Sequence, residues 1–321
     1  MLPKKISIFL VLLYLAVTAV PLGAQSVGVV MSGGGAKGLS HIGVIKALEE
    51  NGIPIDYISG TSIGSIVGGL YAIGLSPDDM IALMKTDEFR AWYTGDGERE
   101  FFTYLYSGYP TPAMVNLHLK RDEKALAEGK RKMKFSLPTS LVSPFPMDIA
   151  FVQMFANASA AAGYDFDNLM LPFFCVSADV LRKQQYVSDS GDLGTAIRAS
   201  MTFPAYFKPV TIDSVLLFDG GFYNNFPWEL MRDKYSPDII IGVKCVKGEP
   251  ISADQDDLYK QLETIMTVDT DYDIPENEGI LISGIYDYSL LEFDKIDELV
   301  QKGYDTAMKY MDRIKERVQR R

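Results

Sequence analysis

The chain has 321 residues, 47% of them hydrophobic, with 31 Lys and Arg against 42 Asp and Glu for a net charge of −11. Such a chain can bury the core of one large α/β domain or two smaller ones, and it is not disordered. The acidic balance argues against nucleic acid as the main partner, because phosphate binding needs a basic footprint.

Residues 1–24 open with Lys4 and Lys5, run through an apolar stretch from Ile6 to Val20, and close on Gly23-Ala24. That is the pattern of a secretory signal peptide, so residues 25–321 are expected to form the mature domain. Val27 to Met31 reads as a short buried strand, followed by the loop Ser32-Gly33-Gly34-Gly35-Ala36-Lys37-Gly38. A helix with Ile42, Ile45 and Leu48 on its apolar face comes next and stops at Asn51-Gly52. Ile53 to Ile58 reads as a second strand. The turn Gly60-Thr61-Ser62-Ile63-Gly64 follows, and Ile66, Val67, Leu70 and Ile73 recur beyond it at helical spacing. This β-loop-α-β-turn-α order predicts a mainly parallel sheet sandwiched by helices.

Between about Lys85 and Tyr164 no clean period holds, and the stretch reads as a variable insertion at the edge of the core. Aromatics crowd there (Phe89, Trp92, Tyr93, Phe101, Phe102, Tyr104, Tyr106, Tyr109), then a basic run from Lys120 to Lys134, then a helical run from Met147 to Phe155. The stretch from Phe89 to Phe145 has two readings: a membrane-facing side with its cations on anionic headgroups and its aromatics in the interface, or a solvated hairpin with ordinary core aromatics. Strands are predicted at Leu171–Ala178, Gln185–Ser188, Val215–Phe218 and Asp238–Val246, and helices at Leu193–Ala199 and Asp294–Val318. The core then spans about 27–246, with a C-terminal helical part over 247–321. Cys175 and Cys245 both fall in apolar runs and read as buried free thiols, too few for a disulfide framework.

Three loops follow predicted strands: Gly33 to Gly38, Gly60 to Gly64, and Asp219-Gly220-Gly221. In an open parallel sheet, sites form at the carboxyl ends of strands, so the three point to one site. Gly-x-Ser-x-Gly between a strand and a helix lifts a serine oxygen clear at a tight turn, with small residues at 60 and 64 allowing the bend. The glycine run has two readings. Backbone N–H groups could receive a developing oxyanion. Alternatively, Gly33, Gly35 and Gly38 satisfy G-x-G-x-x-G, a dinucleotide cradle serving an oxidoreductase, with Asp56 as the ribose contact. Asp56 sits within the second strand and not at its end, which favours the oxyanion hole. Asp269, Asp271 and Asp273 lack the glycine and closing glutamate of a calcium loop and read as a solvated acidic loop, so no metal is expected.

Together these motifs closely resemble the patatin-like phospholipase family from about Val27 to Val246. The likeness includes Gly38-Leu39-Ser40-His41-Ile42-Gly43-Val44, Arg198-Ala199-Ser200 ahead of Phe203-Pro204, and Asn224-Asn225-Phe226-Pro227. The resemblance implies a patatin-like α/β fold and hydrolysis of lipid acyl esters without a cofactor. It assigns Ser62 as nucleophile, Asp219 as general base and the N–H groups around Gly34 and Gly35 as the oxyanion hole. Lys37 stands where many members carry arginine. The implied partners are a lipid or phospholipid substrate and a membrane surface bound peripherally. With the signal peptide, an exported bacterial member is expected, in the periplasm, at the outer membrane or secreted. A catalytically idle lipid-binding domain is the remaining alternative. The chain has two histidines, His41 and His118, and neither follows Asp219, so the dyad is expected to work without histidine.

Overall fold

A computed structural model describes residues 25–96, 141–247, 261, 264–265, 270–286 and 288–319, and the backbone of 118–121 and 133–136. The predicted signal peptide, most of the aromatic and basic run between 97 and 140, and Asp269 lie outside the described residues.

Strand β1 (Val27–Met31) is buried along its whole length, with Val27, Val29 and Met31 on one face of the sheet and Val30 on the other. A strand apolar on both faces must be covered on both, and it is. Helices α1 (Ser40–Glu50) and α2 (Ile63–Ala72) pack on the first face, and α7 (Trp228–Tyr235) covers the second with Trp228 and Met231.

β1 pairs in parallel with β2 (Tyr57–Thr61) on one side and with β9 (Ile239–Lys244) on the other. β9 pairs in parallel with β10 (Gly279–Ser283), and β2 with β5 (Phe173–Asp179). β6 (Gln184–Ser188) and β8 (Val215–Asp219) both pair with β5 and run against this direction, whereas β7 (Val210–Ile212), antiparallel to β8, runs with it. β3 (His118–Arg121) and β4 (Met133–Ser136) form a separate antiparallel pair. Helices α3 (Pro77–Met84), α4 (Asp87–Thr94), α5 (Phe145–Ala161), α6 (Leu193–Ser200) and α8 (Ile296–Arg317) complete the layers.

The sequence reading needs four corrections. The second strand is Tyr57–Thr61, and it starts four residues later than expected. Pro54 brings no N–H to a ladder, and Asp56 instead clips the start of β1: its N–H donates to Val27 O and its Oδ2 accepts from Val27 N, both at 2.8 Å. The C-terminal part is not only helical, since β10 joins the sheet there as an edge strand. Asp219 ends an antiparallel strand, not a parallel one. Finally, α4 gives regular structure to the start of the expected insertion, and α3, just ahead of it, was not predicted. α3 is opened by a capping box between Ser76 and Asp79, and α4 by the Thr86 cap.

Candidate active site

Ser62 stands between the end of β2 and the start of α2 with φ 56° and ψ −125°. A non-glycine residue with such a backbone carries about 1–3 kcal/mol of strain and persists only where its surroundings fix it. They do so here. Ser62 N donates to Ser200 Oγ (3.0 Å), and Ser62 O accepts from Ser65 N (2.9 Å) and Ser65 Oγ (2.6 Å). The strand and the helix cross so closely that a Cβ on Gly60 would lie 2.3 Å from the carbonyl atoms of Gly64. Only hydrogen fits there. The turn holds Ser62 at the amino end of α2, where the helix dipole favours negative charge.

Ser62 Oγ donates to Asp219 Oδ2 at 2.6 Å. The second oxygen, Oδ1, accepts from Gly221 N at 2.9 Å, and Asp219 N donates to Thr202 O at 2.9 Å. Asp219 is 1% exposed. Burial pushes its carboxyl up to about 6, while the bonds from Ser62 and Gly221 pull it down. It is therefore a carboxylate at neutral pH, and a stronger base than an exposed aspartate.

The glycine loop lies beside this pair. Gly33 N donates to Asn225 O (3.1 Å) and Ala36 N to Leu290 O (2.8 Å). Between them, Gly34 and Gly35 line the same cavity as Ser62 and Asp219, and among the described residues their N–H groups have no acceptor. Lys37 is buried in the following 3-10 turn, where its carbonyl accepts from Ser40 Oγ (2.6 Å), and Gly38 lies against Ile63. Gly33, Ala36, Lys37 and Gly38 shape the loop without lining the cavity.

The cavity has about 930 Å³ of empty space, part of it open to solvent. Beyond the polar end its walls are apolar, with Ile66, Phe89, Trp92, Met147, Phe207 and Phe293 among them. Phe89 and Trp92 are thus interior walls, which for these two favours the core reading over the interface one. Phe293 stacks on Tyr93 with ring centroids 4.7 Å apart, joining the segment after β10 to α4.

A family model described as patatin-like phospholipase matches residues 29–232. The chain belongs to the patatin-like phospholipase family. Patatin-like relatives include the patatin-like phospholipase domain-containing protein ZK370.4 of Caenorhabditis elegans, 32% identical over 70% of this chain and 13% of that protein. Human patatin-like phospholipase domain-containing protein 6 is 31% identical over 68% of this chain and 13% of its own length. Lysophospholipase NTE1 of Pyricularia oryzae is 25% identical over 91% of this chain and 19% of its own. The chain therefore spans less than a fifth of each of these relatives.

Patatin-family membership overturns the dinucleotide alternative, and the geometry agrees. Asp56 precedes β2 and bonds to Val27, so it lies at the amino ends of β1 and β2, whereas the glycine loop lies at their carboxyl ends. No ribose could span both. Sequence reasoning missed the supports of this site. Ser200 Oγ holds Ser62 N and itself donates to Val176 O (2.5 Å), Thr202 O holds Asp219 N, and Leu290, Leu291 and Phe293 close one wall. Ser200 sits in the Arg198-Ala199-Ser200 stretch, which was the one available signal.

Proposed function

We propose that this protein hydrolyses acyl esters of lipids through a Ser62–Asp219 dyad. The observation that carries the reading is the 2.6 Å hydrogen bond from Ser62 Oγ to a buried Asp219 carboxylate at the end of an apolar cavity. Ser62 Oγ attacks the acyl carbonyl as Asp219 Oδ2 takes its proton. The N–H groups of Gly34 and Gly35, aided by the amino end of α2, receive the oxyanion. On collapse, the leaving alcohol takes the proton from Asp219 and the acyl group stays on Ser62. Asp219 then removes a proton from water as it attacks the acyl-enzyme, and returns that proton to Ser62 Oγ as the bond to the acyl group breaks and the acid leaves. The apolar walls hold the acyl chain.

Phospholipids and lysophospholipids are the proposed substrates, in keeping with the names of the relatives. A peripheral membrane contact through the basic run Lys120 to Lys134, and export directed by residues 1–24, belong to the same proposal. The test is incubation of purified protein with defined phospholipids, lysophospholipids and neutral esters, with products read by mass spectrometry. Release of fatty acid by the wild type and none by Ser62→Ala supports the reading. Lipid binding without release at any pH from 5 to 9 leaves a lipid-binding domain instead.

A further inference from the structure

Resting on that hydrolase reading, we infer that the Cys245 thiol is a positioning residue, one that aims and polarises the peptide carrying the Gly34 N–H. Cys245 follows β9 and is buried directly beneath the glycine loop, where a Cβ on Gly34 would lie 2.5 Å from its sulfur. It does not line the cavity, although its neighbour Val246 does.

The protons of this cluster can be placed by elimination. Ser32 O and Gly33 O are carbonyl oxygens and only accept. The 2.8 Å contact between His41 Nε2 and Ser32 O therefore needs the proton on Nε2, which leaves that nitrogen no lone pair to accept from the Cys245 thiol 3.7 Å away. The 3.3 Å contact between Cys245 Sγ and Gly33 O likewise takes the thiol proton. Ser32 Oγ already accepts from Cys245 N (3.1 Å), and its own proton is left for Cys245 Sγ at 3.4 Å. The result is a directed chain from Ser32 O–H to Cys245 S–H to Gly33 C=O.

Gly33 C=O shares its peptide with Gly34 N–H. The structure has no cis peptide bond among its described residues, and in a planar trans peptide these two groups point in opposite directions. A thiol that holds the carbonyl on the core side thereby turns the N–H toward the cavity that Gly34 lines. Each bond in such a chain also polarises the next, so a donor on the carbonyl makes the N–H a better donor to an oxyanion. His41 acts likewise one peptide earlier: it holds Ser32 C=O, whose partner Gly33 N–H donates to Asn225 O. That bond anchors the loop, and the Cys245 bond sets the donor.

The chemistry of this role separates it from mere packing. Serine keeps a donor at residue 245, whereas alanine and valine do not. Valine also fills the space of the thiol, so it replaces alanine if a cavity there unfolds the loop. The variants Cys245→Ser, Cys245→Ala and Cys245→Val are assayed on a soluble p-nitrophenyl ester, each normalised by fluorophosphonate titration to its folded, reactive fraction. Loss of the donor is expected to lower kcat about tenfold, less than deletion of a direct oxyanion donor. KM is expected to stay within about twofold, because the oxyanion exists only in the transition state. Cys245→Ser is expected to recover most of the rate. The affinity of a trifluoromethyl ketone, which forms a tetrahedral adduct on the serine, should fall in step with kcat/KM. An unchanged kcat in the donor-free variants overturns the inference, as does an equal loss in Cys245→Ser or a change confined to KM. A wild type that neither cleaves the ester nor takes the fluorophosphonate at Ser62 overturns the hydrolase reading itself. An active, Ser62-dependent wild type with indifferent Cys245 variants overturns this inference alone.

Discussion

Thr61 and Asp219 end two strands that meet head-on along one edge of β5, with Thr61 opposite Val176 and Asp219 opposite Ser177. β6 occupies the other edge of the same residues, so β2 and β8 share theirs, arriving from opposite directions. The register of consecutive residues on one strand is thus what brings together a serine and an aspartate 157 positions apart in sequence. Nothing local to either loop could do this.

Asp219→Asn is expected to lower activity as far as Ser62→Ala does, by roughly 10³-fold or more, because the amide cannot take the serine proton. Both variants should keep the wild-type circular dichroism spectrum. Steady-state hydrolysis of a soluble ester checks the loss. An Asp219→Asn variant within about tenfold of wild type would assign the base elsewhere.

The buried carboxyl also sets the pH dependence. With Asp219 near 6, kcat/KM is expected to rise with pH through about 6 with unit slope and to level off above it. Stability moves the other way. The folded value lies above the ordinary 3.8, so the unfolded chain loses its proton first as pH rises. Stability contributed by this group is therefore full below about 4, falls between about 4 and 6, and stays lower above, by at most about 3 kcal/mol. Asp219→Asn should accordingly gain clearly more Tm over wild type at pH 7.5 than at pH 4.5. An equal difference at both would deny the raised value.

His41 points its Nε2 at Ser32 O, and burial pushes its imidazole down to about 4, so it is neutral at working pH. His118 lies in β3, where only the backbone is described. His118→Gln is expected to leave kcat unchanged. His41→Gln keeps a side-chain N–H for Ser32 O and is expected to lose less than about tenfold, with part of the change appearing as lower Tm. A loss in either variant equal to that of Ser62→Ala would contradict a histidine-free dyad.

Much of this was legible in the sequence, and what was not has physical causes. Val27–Met31 and the Ser62 turn stand out because a buried parallel strand is a continuous apolar run and a sharp turn demands Gly60 and Gly64. The limits of β2 were misread because Ile53 and Ile55 look like strand residues, whereas pairing with β1 begins only at Tyr57. The direction of β8 was invisible, since Val215–Phe218 reads alike in a parallel or an antiparallel partner. Ser200 was marked only by the Arg198-Ala199-Ser200 stretch, and the roles of Thr202 and Cys245 were silent, because each comes from single hydrogen bonds across distant segments. β10 was hidden by its distance from any motif.

The turn itself is open to test through stability. Gly64→Ala would put a Cβ 2.5 Å from Met31 O, and that oxygen belongs to the central strand and cannot yield cheaply. The variant is expected to lose about 1–3 kcal/mol or to fail to fold, measured by urea unfolding. Wild-type stability there would mean that strand and helix are less closely apposed.

The central claim, that Ser62 is a nucleophile activated by Asp219, is tested most directly by peptide mapping after reaction with a fluorophosphonate. The account predicts one adduct per chain, on the peptide carrying Ser62, absent in Ser62→Ala and formed roughly 10³-fold more slowly in Asp219→Asn. No adduct on the folded wild type, or an adduct on another residue, would contradict it.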